Sequence, residues 1–170
     1  MFRRARLLAC AAILSIPLVL ATSAFGAECI GVQYPDSVKV GNADLVLNGL
    51  GIRKATFLAV KVYVAGLYLP QKLADSDKIL GSDQPWQLML RFVHDVDASE
   101  IRDAWKEGFE HAGGEKVAAL RPQIDALNAR MVDFKEGQYL SFTSDPPNGV
   151  MVDVNGASGS AIEGADFATA

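Results

Sequence analysis

Arg53 and Tyr63 are the two residues of this chain whose types and positions best support chemistry. Arg53 ends the segment Asn48–Arg53, and Tyr63 lies in the apolar run Phe57–Leu69, in which Lys61 is the only ionic residue. A guanidinium keeps its charge, so beside an apolar strand it requires an anion or a carbonyl oxygen as its partner. That partner is either a ligand carboxylate or an internal Asp or Glu. The Tyr63 hydroxyl is equally either a second ligand contact or a structural hydrogen bond.

Other residue types that support chemistry are poorly arranged in this chain. His94, Asp95 and Asp97 could bind a metal, but consecutive strand residues point to opposite faces, and Asp97 is better explained as a helix cap. Once a leader is removed, Cys29 is the only cysteine, which excludes an internal disulfide and a cysteine zinc site. The chain has neither a nucleophile elbow nor a phosphate-binding loop. We therefore expect no metal and no cofactor.

The first 26 residues have the pattern of an export signal. Three arginines within the first six residues precede an apolar stretch from Leu7 to Leu20, and small residues then offer cleavage sites after Ala24 or Gly26. The apolar stretch is too short, and its flanks too rich in small residues, to predict a membrane anchor. We expect a signal peptide over residues 1–26, a periplasmic or secreted mature protein, and no stable membrane span after cleavage.

The remaining part of the chain has the size and composition of one ordinary domain. It comprises about 145 residues, enough to bury a proper core. The formal charge of −4 becomes −7 without the three leader arginines, because the leader contains no acidic residue. An acidic chain without a basic stripe argues against nucleic acid as a partner. With no repeats and no low-complexity linker, residues 27–170 are predicted to form a single α+β domain.

Alternating apolar residues predict the strands. Asn48–Gly51 is rich in turn residues, and we expect a turn there ahead of a long strand over Phe57–Leu69. Alternation assigns the odd-numbered residues of that strand, including Tyr63, to one face, and the even-numbered residues, including Val60 and Val62, to the other. Further strands are predicted over Trp86–His94, Gln138–Thr143 and Val150–Val154, the last two as a hairpin. In the first of these, alternation assigns the even-numbered residues to one face and the odd-numbered residues to the other.

Two amphipathic helices are predicted between these strands. Asp97–Glu100 has the form of a capping box, and Ile101 and Trp105 follow at helical spacing until Gly113–Gly114 ends the helix. Pro122 marks the first turn of the second helix, since proline fits there and not in a helix interior. The face that carries Trp105 belongs to the core, to a ligand site, or to both where the helix covers a cleft.

The predicted turn and strand together resemble the chalcone isomerase-like family. Asn48–Arg53 is similar to that family's Gly-Gly-x-Gly-x-Arg turn, and Lys61–Leu69 to its strand ending in Gly-x-Tyr-Leu. The likeness is closest to the exported bacterial branch and continues through Asp97–Phe109 and the glycine-rich tail. The resemblance implies an α+β fold, an open-faced β-sandwich with one large antiparallel sheet, helices packed on one face, and a cleft between them.

The resemblance implies two possible roles for Arg53. In the isomerases an Arg at this position assists cyclisation of a chalcone, without a cofactor, by stabilising the developing enolate. In other members that Arg and a strand Tyr hold the carboxylate of a fatty acid, and Tyr63 matches that Tyr where the isomerases carry Thr. The isomerases also place a Tyr and an Asn at the positions of Ala98 and Trp105. Loss of one such polar contact costs about 2–4 kcal/mol in the transition state.

We therefore predict a non-catalytic binder of a small amphipathic acid, fatty-acid-like or aromatic. Arg53, Tyr63 and Trp105 are its predicted ligand-binding residues. One alternative is a cofactor-independent isomerase or intramolecular lyase that acts through Arg53 on an enone such as a chalcone. Another is an envelope interaction or scaffold protein in which Arg53 forms an internal ion pair. The family continues past the stretch that Glu163–Phe167 resembles into a closing helix, which we expect this domain to lack.

Overall fold

The computed structural model describes residues 26–55, 59–112 and 114–169. Apart from Gly26, the predicted signal peptide lies outside the described residues. A small hairpin of β1 (Glu28–Cys29) and β2 (Val32–Gln33) comes first. The main sheet follows, and its strands are β3 (Ser37–Val40), β4 (Ala43–Ala55), β5 (Val60–Leu69), β6 (Trp86–Phe92), β7 (Tyr139–Ser144), β8 (Val150–Val154) and β9 (Ala157–Ser158).

The main sheet is an antiparallel meander in which each strand pairs with the next one along the chain. The helices are α1 (Ser76–Leu80), α2 (Ala98–Ala112), α3 (Gly114–Ala119), α4 (Arg121–Asn128) and α5 (Ala165–Ala168). Pro122 lies in the first turn of α4, as predicted. The predicted α+β fold with a large antiparallel sheet is confirmed. No helix of the described residues is long and apolar enough to cross a membrane.

Two apolar clusters cover the two faces of the sheet. The larger cluster packs Leu90 and Phe92 of β6 against Ile101 of α2 and Ile124 of α4. The smaller cluster lies on the opposite face, where Tyr34 from the N-terminal segment packs against β3, β4 and β5. Strand β6 serves both clusters, because its even-numbered residues face the helices whereas Met89, and Val93 just after the strand, face the Tyr34 side. The sequence-based assignment of the faces of β6 is therefore confirmed.

The predicted turn at Asn48–Gly51 is wrong, because these residues lie within β4. Leu47 pairs with Tyr68 and Gly49 with Leu67, so Asn48 is an extra residue in a β-bulge. The Asn48 side chain is used by the fold, since its Oδ1 accepts a hydrogen bond from the Leu73 N–H at 2.7 Å. A bulge tolerates the same turn-forming residues as a tight turn, which explains why the pattern was misleading.

The position of the chain reversal also differs from the expectation. Strand β4 continues to Ala55, and β5 begins at Val60 after Ala59, whose φ is 53°. Phe57, with which the long strand was predicted to begin, lies outside the described residues. The motif that contains Arg53 is therefore one arm of a β4–β5 hairpin, with Arg53 close to the end of the hairpin.

Candidate functional site

A cavity of about 780 Å³ lies between the ends of β4, β5 and β6 and the first three turns of α2. Its floor belongs to the larger apolar cluster and is formed chiefly by Val62, Leu90, Phe92, Val96, Ile101 and Trp105. The volume falls in the range of small-molecule pockets, roughly 300–1,000 Å³. Arg53, Tyr63 and Trp105, the three predicted ligand-binding residues, all line this cavity.

The Asn48 bulge places Arg53 on the cavity side of the sheet. Leu47 packs in the Tyr34 cluster, and uninterrupted alternation would put Arg53 on that same face. The extra residue reverses the alternation, so that Arg53 lies directly opposite Tyr63 on the neighbouring strand. Arg53 is exposed, and within the described residues no carboxylate lies within 4.0 Å of its guanidinium.

A second bulge, in β5, adds apolar surface beside this pair. Tyr63 pairs with Arg53 and Lys61 pairs with Lys54, which leaves Val62 as the extra residue. Val60, Val62 and Tyr63 consequently all line the cavity. The predicted separation of Tyr63 from Val60 and Val62 onto opposite faces is wrong, because strict alternation does not hold across a bulge.

Tyr63 is held in place by the contact of its ring with Phe92. The ring lies edge-on to Phe92, with centroids 5.9 Å apart and planes at 74°. Burial raises the pKa of Tyr63 above its ordinary value, and the charge of Arg53 partly opposes this effect. The hydroxyl is therefore protonated at neutral pH and is able to donate a hydrogen bond.

Trp105 forms part of the cavity wall contributed by α2. Its ring contacts Phe142 of β7 edge-on, with centroids 5.7 Å apart. Its Nε1 is buried without a hydrogen-bond partner among the described residues. Trp105 therefore supplies apolar surface rather than an exposed polar contact. Ala98, the first residue of α2, packs against the apolar cluster and supplies no side-chain polar atom.

Acidic residues on α2 form a feature of the cavity that the sequence-based prediction missed. Glu100, Asp103 and Glu107 line the cavity from the helix, and Asp97 lines it just before the helix begins. All four are exposed. Their positions three and four residues apart could have revealed one shared helical face, next to that of Ile101. The prediction weighed Asp97 as a metal ligand and as a cap, placed Glu100 in the capping box, and left Asp103 and Glu107 unassigned.

The cavity thus has a cationic wall and an anionic wall. Arg53 and Lys54 line it from β4, and the acidic residues of α2 line it from the helix. Asp95 also borders the cavity, but its carboxylate accepts a hydrogen bond from Lys135 Nζ at 2.9 Å and another from the Glu136 N–H at 3.0 Å. Those two hydrogen bonds hold the pKa of Asp95 below its usual value.

The residues considered as metal ligands do not form a cluster. Among the described residues, no group of three His, Cys, Asp or Glu side chains is placed to hold a metal ion. His94 is exposed beside the cavity, and Asp95 is engaged by Lys135. Cys29 is a free, half-buried thiol in the N-terminal hairpin.

Comparison with known proteins identifies the family. The sequence model described as chalcone isomerase-like matches residues 26–170, and the chain therefore belongs to that family. A solved fatty-acid binding protein from Arabidopsis thaliana is similar in structure, with a TM-score of 0.59 and 18% sequence identity over 77% of this chain and 79% of that chain. At this identity the likeness is evidence of a shared fold. No curated protein sequence matches the chain.

Proposed function

We propose that this protein is an exported, non-catalytic binder of a small amphipathic acid, fatty-acid-like or aromatic. The observation that carries the proposal is the position of Arg53, which lies opposite Tyr63 at the wall of a cavity with an apolar floor and has no ion-pair partner among the described residues. A carboxylate at this wall would accept hydrogen bonds from both side chains. The family relationship and the fatty-acid binding neighbour support the same proposal.

The same geometry argues against the two alternatives. An internal ion pair of Arg53 would favour a scaffold role, yet the described residues place no acid within 4.0 Å of it and place a cavity beside it. For the isomerase, Ala98 lacks a polar side chain, and Trp105 Nε1 is buried. An absorbance assay of chalcone loss tests this alternative, and we expect the uncatalysed rate.

Titration calorimetry with dodecanoate tests the proposed binding. We expect Arg53→Gln to weaken the affinity about five- to tenfold, as for a charge-assisted hydrogen bond partly screened by water. Lys61→Gln is the matched control, because Lys61 is exposed on the same hairpin but does not line the cavity. The proposal fails if dodecanoate does not bind, or if both variants bind it as the wild type does.

Export is tested separately from binding. We expect the mature protein in the periplasmic or secreted fraction, with an N-terminus that mass spectrometry places after Ala24 or Gly26. Native mass spectrometry of protein purified without added lipid would then identify a co-purified acid. Recovery of the full-length chain from the cytosol would contradict export without affecting the binding proposal.

A further inference from the structure

The two charged walls of the cavity restrict the chemistry of the ligand more closely than the Arg53–Tyr63 pair alone. A site for a simple carboxylate needs only the cationic wall, and acidic groups beside it disfavour an anion. Here Asp97, Glu100 and Asp103 line the cavity and form no ion pair with any described residue. Glu107 approaches only His111, at 3.9 Å. Three acidic groups and the Arg53 guanidinium therefore face one cavity without neutralising one another.

The spacing of the walls suits one ligand head. Arg53 on β4 pairs with Tyr63 on β5, which pairs with Phe92 on β6. The backbones of Arg53 and Phe92 are therefore two strand spacings apart, about 10 Å, and Phe92 belongs to the part of the sheet near α2. Arg53 and Glu100 both line the cavity that includes this part of the sheet. A head group with charges of both signs would reach both walls, while its tail covers the apolar floor.

We propose that the preferred ligand of this cavity is a zwitterionic amphiphile, with an anionic group at Arg53 and an ammonium group at the Glu100–Asp103 wall. This inference rests on the proposed binding of an amphipathic acid, and adds a second, cationic group to that acid. Tyr63 donates to the anionic group. Trp105 and Phe92 contact the carbon chain next to the ammonium, where aromatic faces are favourable neighbours of a cation.

A second cavity of the described residues does not compete with this assignment. It has a volume of about 550 Å³ and lies on the opposite face of the sheet, around Tyr139 and Asp153. Two pairs of its polar groups bind one another: Ser158 Oγ donates to Asp153 at 2.6 Å, and Gln87 Nε2 donates to Thr143 at 2.9 Å. In the α2 cavity, by contrast, the opposed charges are unpaired.

Three probes with the same dodecyl chain test the inference by calorimetry. They are dodecanoate, N-dodecyl-N,N-dimethylglycine and dodecyltrimethylammonium, each used below the concentration at which it forms micelles. We expect the dimethylglycine betaine to bind about three- to tenfold more tightly than dodecanoate, since its ammonium adds exposed charge interactions. The ammonium alone should bind more weakly than the betaine, because it offers nothing to Arg53.

A double variant, Glu100→Gln with Asp103→Asn, tests the acidic wall. It should abolish the preference for the betaine and tighten dodecanoate binding, because two acidic groups that disfavour an anion are removed. Glu110→Gln is the matched control, because Glu110 is an exposed acid of the same helix that does not line the cavity. Circular dichroism and melting temperature establish that each variant is folded.

The outcomes separate this inference from the proposed function. If dodecanoate binds through Arg53 but the betaine binds no more tightly, or if the double variant keeps the preference, the zwitterionic head is wrong and the acid binder stands. If the trimethylammonium probe binds as tightly as the betaine, the ligand is a cation and the inference is also overturned. If none of the three probes binds, both proposals fail.

Discussion

At the residue scale, the Arg53–Tyr63 pair depends on two inserted residues rather than on strand alternation. Asn48 and Val62 each occupy a bulge, and together they place the guanidinium, the tyrosine ring and extra apolar surface on one face. A bulge increases local twist and redirects side chains, which suits the end of a hairpin that borders a cavity. The chemistry of the site is therefore set by residues that do not take part in it.

Replacement of Tyr63 by Phe separates the hydroxyl from the ring. We expect the affinity for dodecanoate to fall about three- to tenfold, because one hydrogen bond to a charged acceptor is lost. The free energy of unfolding should change by less than about 0.5 kcal/mol, since the edge-on contact with Phe92 is kept. Calorimetry and urea unfolding measure the two effects. Tyr139→Phe is the control, because Tyr139 lies on the opposite face of the sheet. If the wild type and both variants bind dodecanoate equally well, Tyr63 is not part of the site.

Gly66 is required by a close approach of Tyr34. A Cβ at Gly66 would lie 2.6 Å from two ring carbons of Tyr34, whose hydroxyl donates to the Val64 carbonyl at 2.8 Å. We expect Gly66→Ala to lower the free energy of unfolding by about 1–3 kcal/mol through overpacking. Gly49→Ala is the matched control on the neighbouring strand, because its Cβ would meet nothing within 4 Å. Equal urea midpoints for the two variants would contradict this account.

At the element scale, the sequence was sufficient to predict an element wherever the periodicity of its apolar residues was uninterrupted. The faces of β6, the β7–β8 hairpin and the proline in the first turn of α4 all agree with the structure. The bulges in β4 and β5 were not predictable in the same way, because two-residue periodicity contains no signal for an unpaired residue. The faces of Val60 and Val62 in β5 were therefore misassigned, whereas the faces from Tyr63 to Tyr68 agree with the structure. The glycines of the Asn48–Arg53 segment were misread as a turn.

The residues of the candidate site likewise divide into those that the sequence predicted and those that it did not. The three residues with distinctive chemistry, Arg53, Tyr63 and Trp105, were named from the sequence and line one cavity. The acidic wall was missed, because exposed acids on a helix are ordinary and become informative only once a cavity is known to lie beside them. Their assignment to the site required the position of α2 over the sheet, which no local pattern encodes.

The start of α2 is capped from elsewhere in the chain. Asp97–Glu100 was predicted to form a capping box, but the side-chain acceptor at the first turn is Asp133, whose Oδ1 receives the Ala98 N–H at 2.9 Å. We expect Asp133→Ala to lower the free energy of unfolding by about 1 kcal/mol, and Asp133→Asn to retain most of that stability. Asp97→Ala should cost less than Asp133→Ala in the same urea titration. The reverse order would restore the capping-box interpretation.

At the scale of the whole molecule, one sheet supports two apolar clusters with different tasks. The helix side contains the cavity lined by Arg53, whereas the N-terminal segment packs against part of the other face through Tyr34. That packing includes two tyrosines that are almost inaccessible to solvent, at 1% for Tyr34 and 0% for Tyr68. Their hydroxyls donate to the carbonyls of Val64 and Pro35. Attachment of the N-terminal segment therefore depends on protonated tyrosines.

This dependence predicts a loss of stability at alkaline pH. Burial raises the pKa of Tyr34 and of Tyr68 from 10.0 to about 12, with Arg91 partly opposing the effect. The folded protein keeps two protons that the unfolded chain releases above pH 10, so stability is complete below pH 10 and declines as the pH rises toward 12. Tyr34→Phe shares every other titrating group with the wild type. In urea unfolding from pH 9.5 to pH 11.5, the free energy of unfolding of the variant should therefore decline less steeply than that of the wild type, by about one proton in the linkage slope. Parallel curves would mean that Tyr34 ionises as readily in the folded protein as in the unfolded chain.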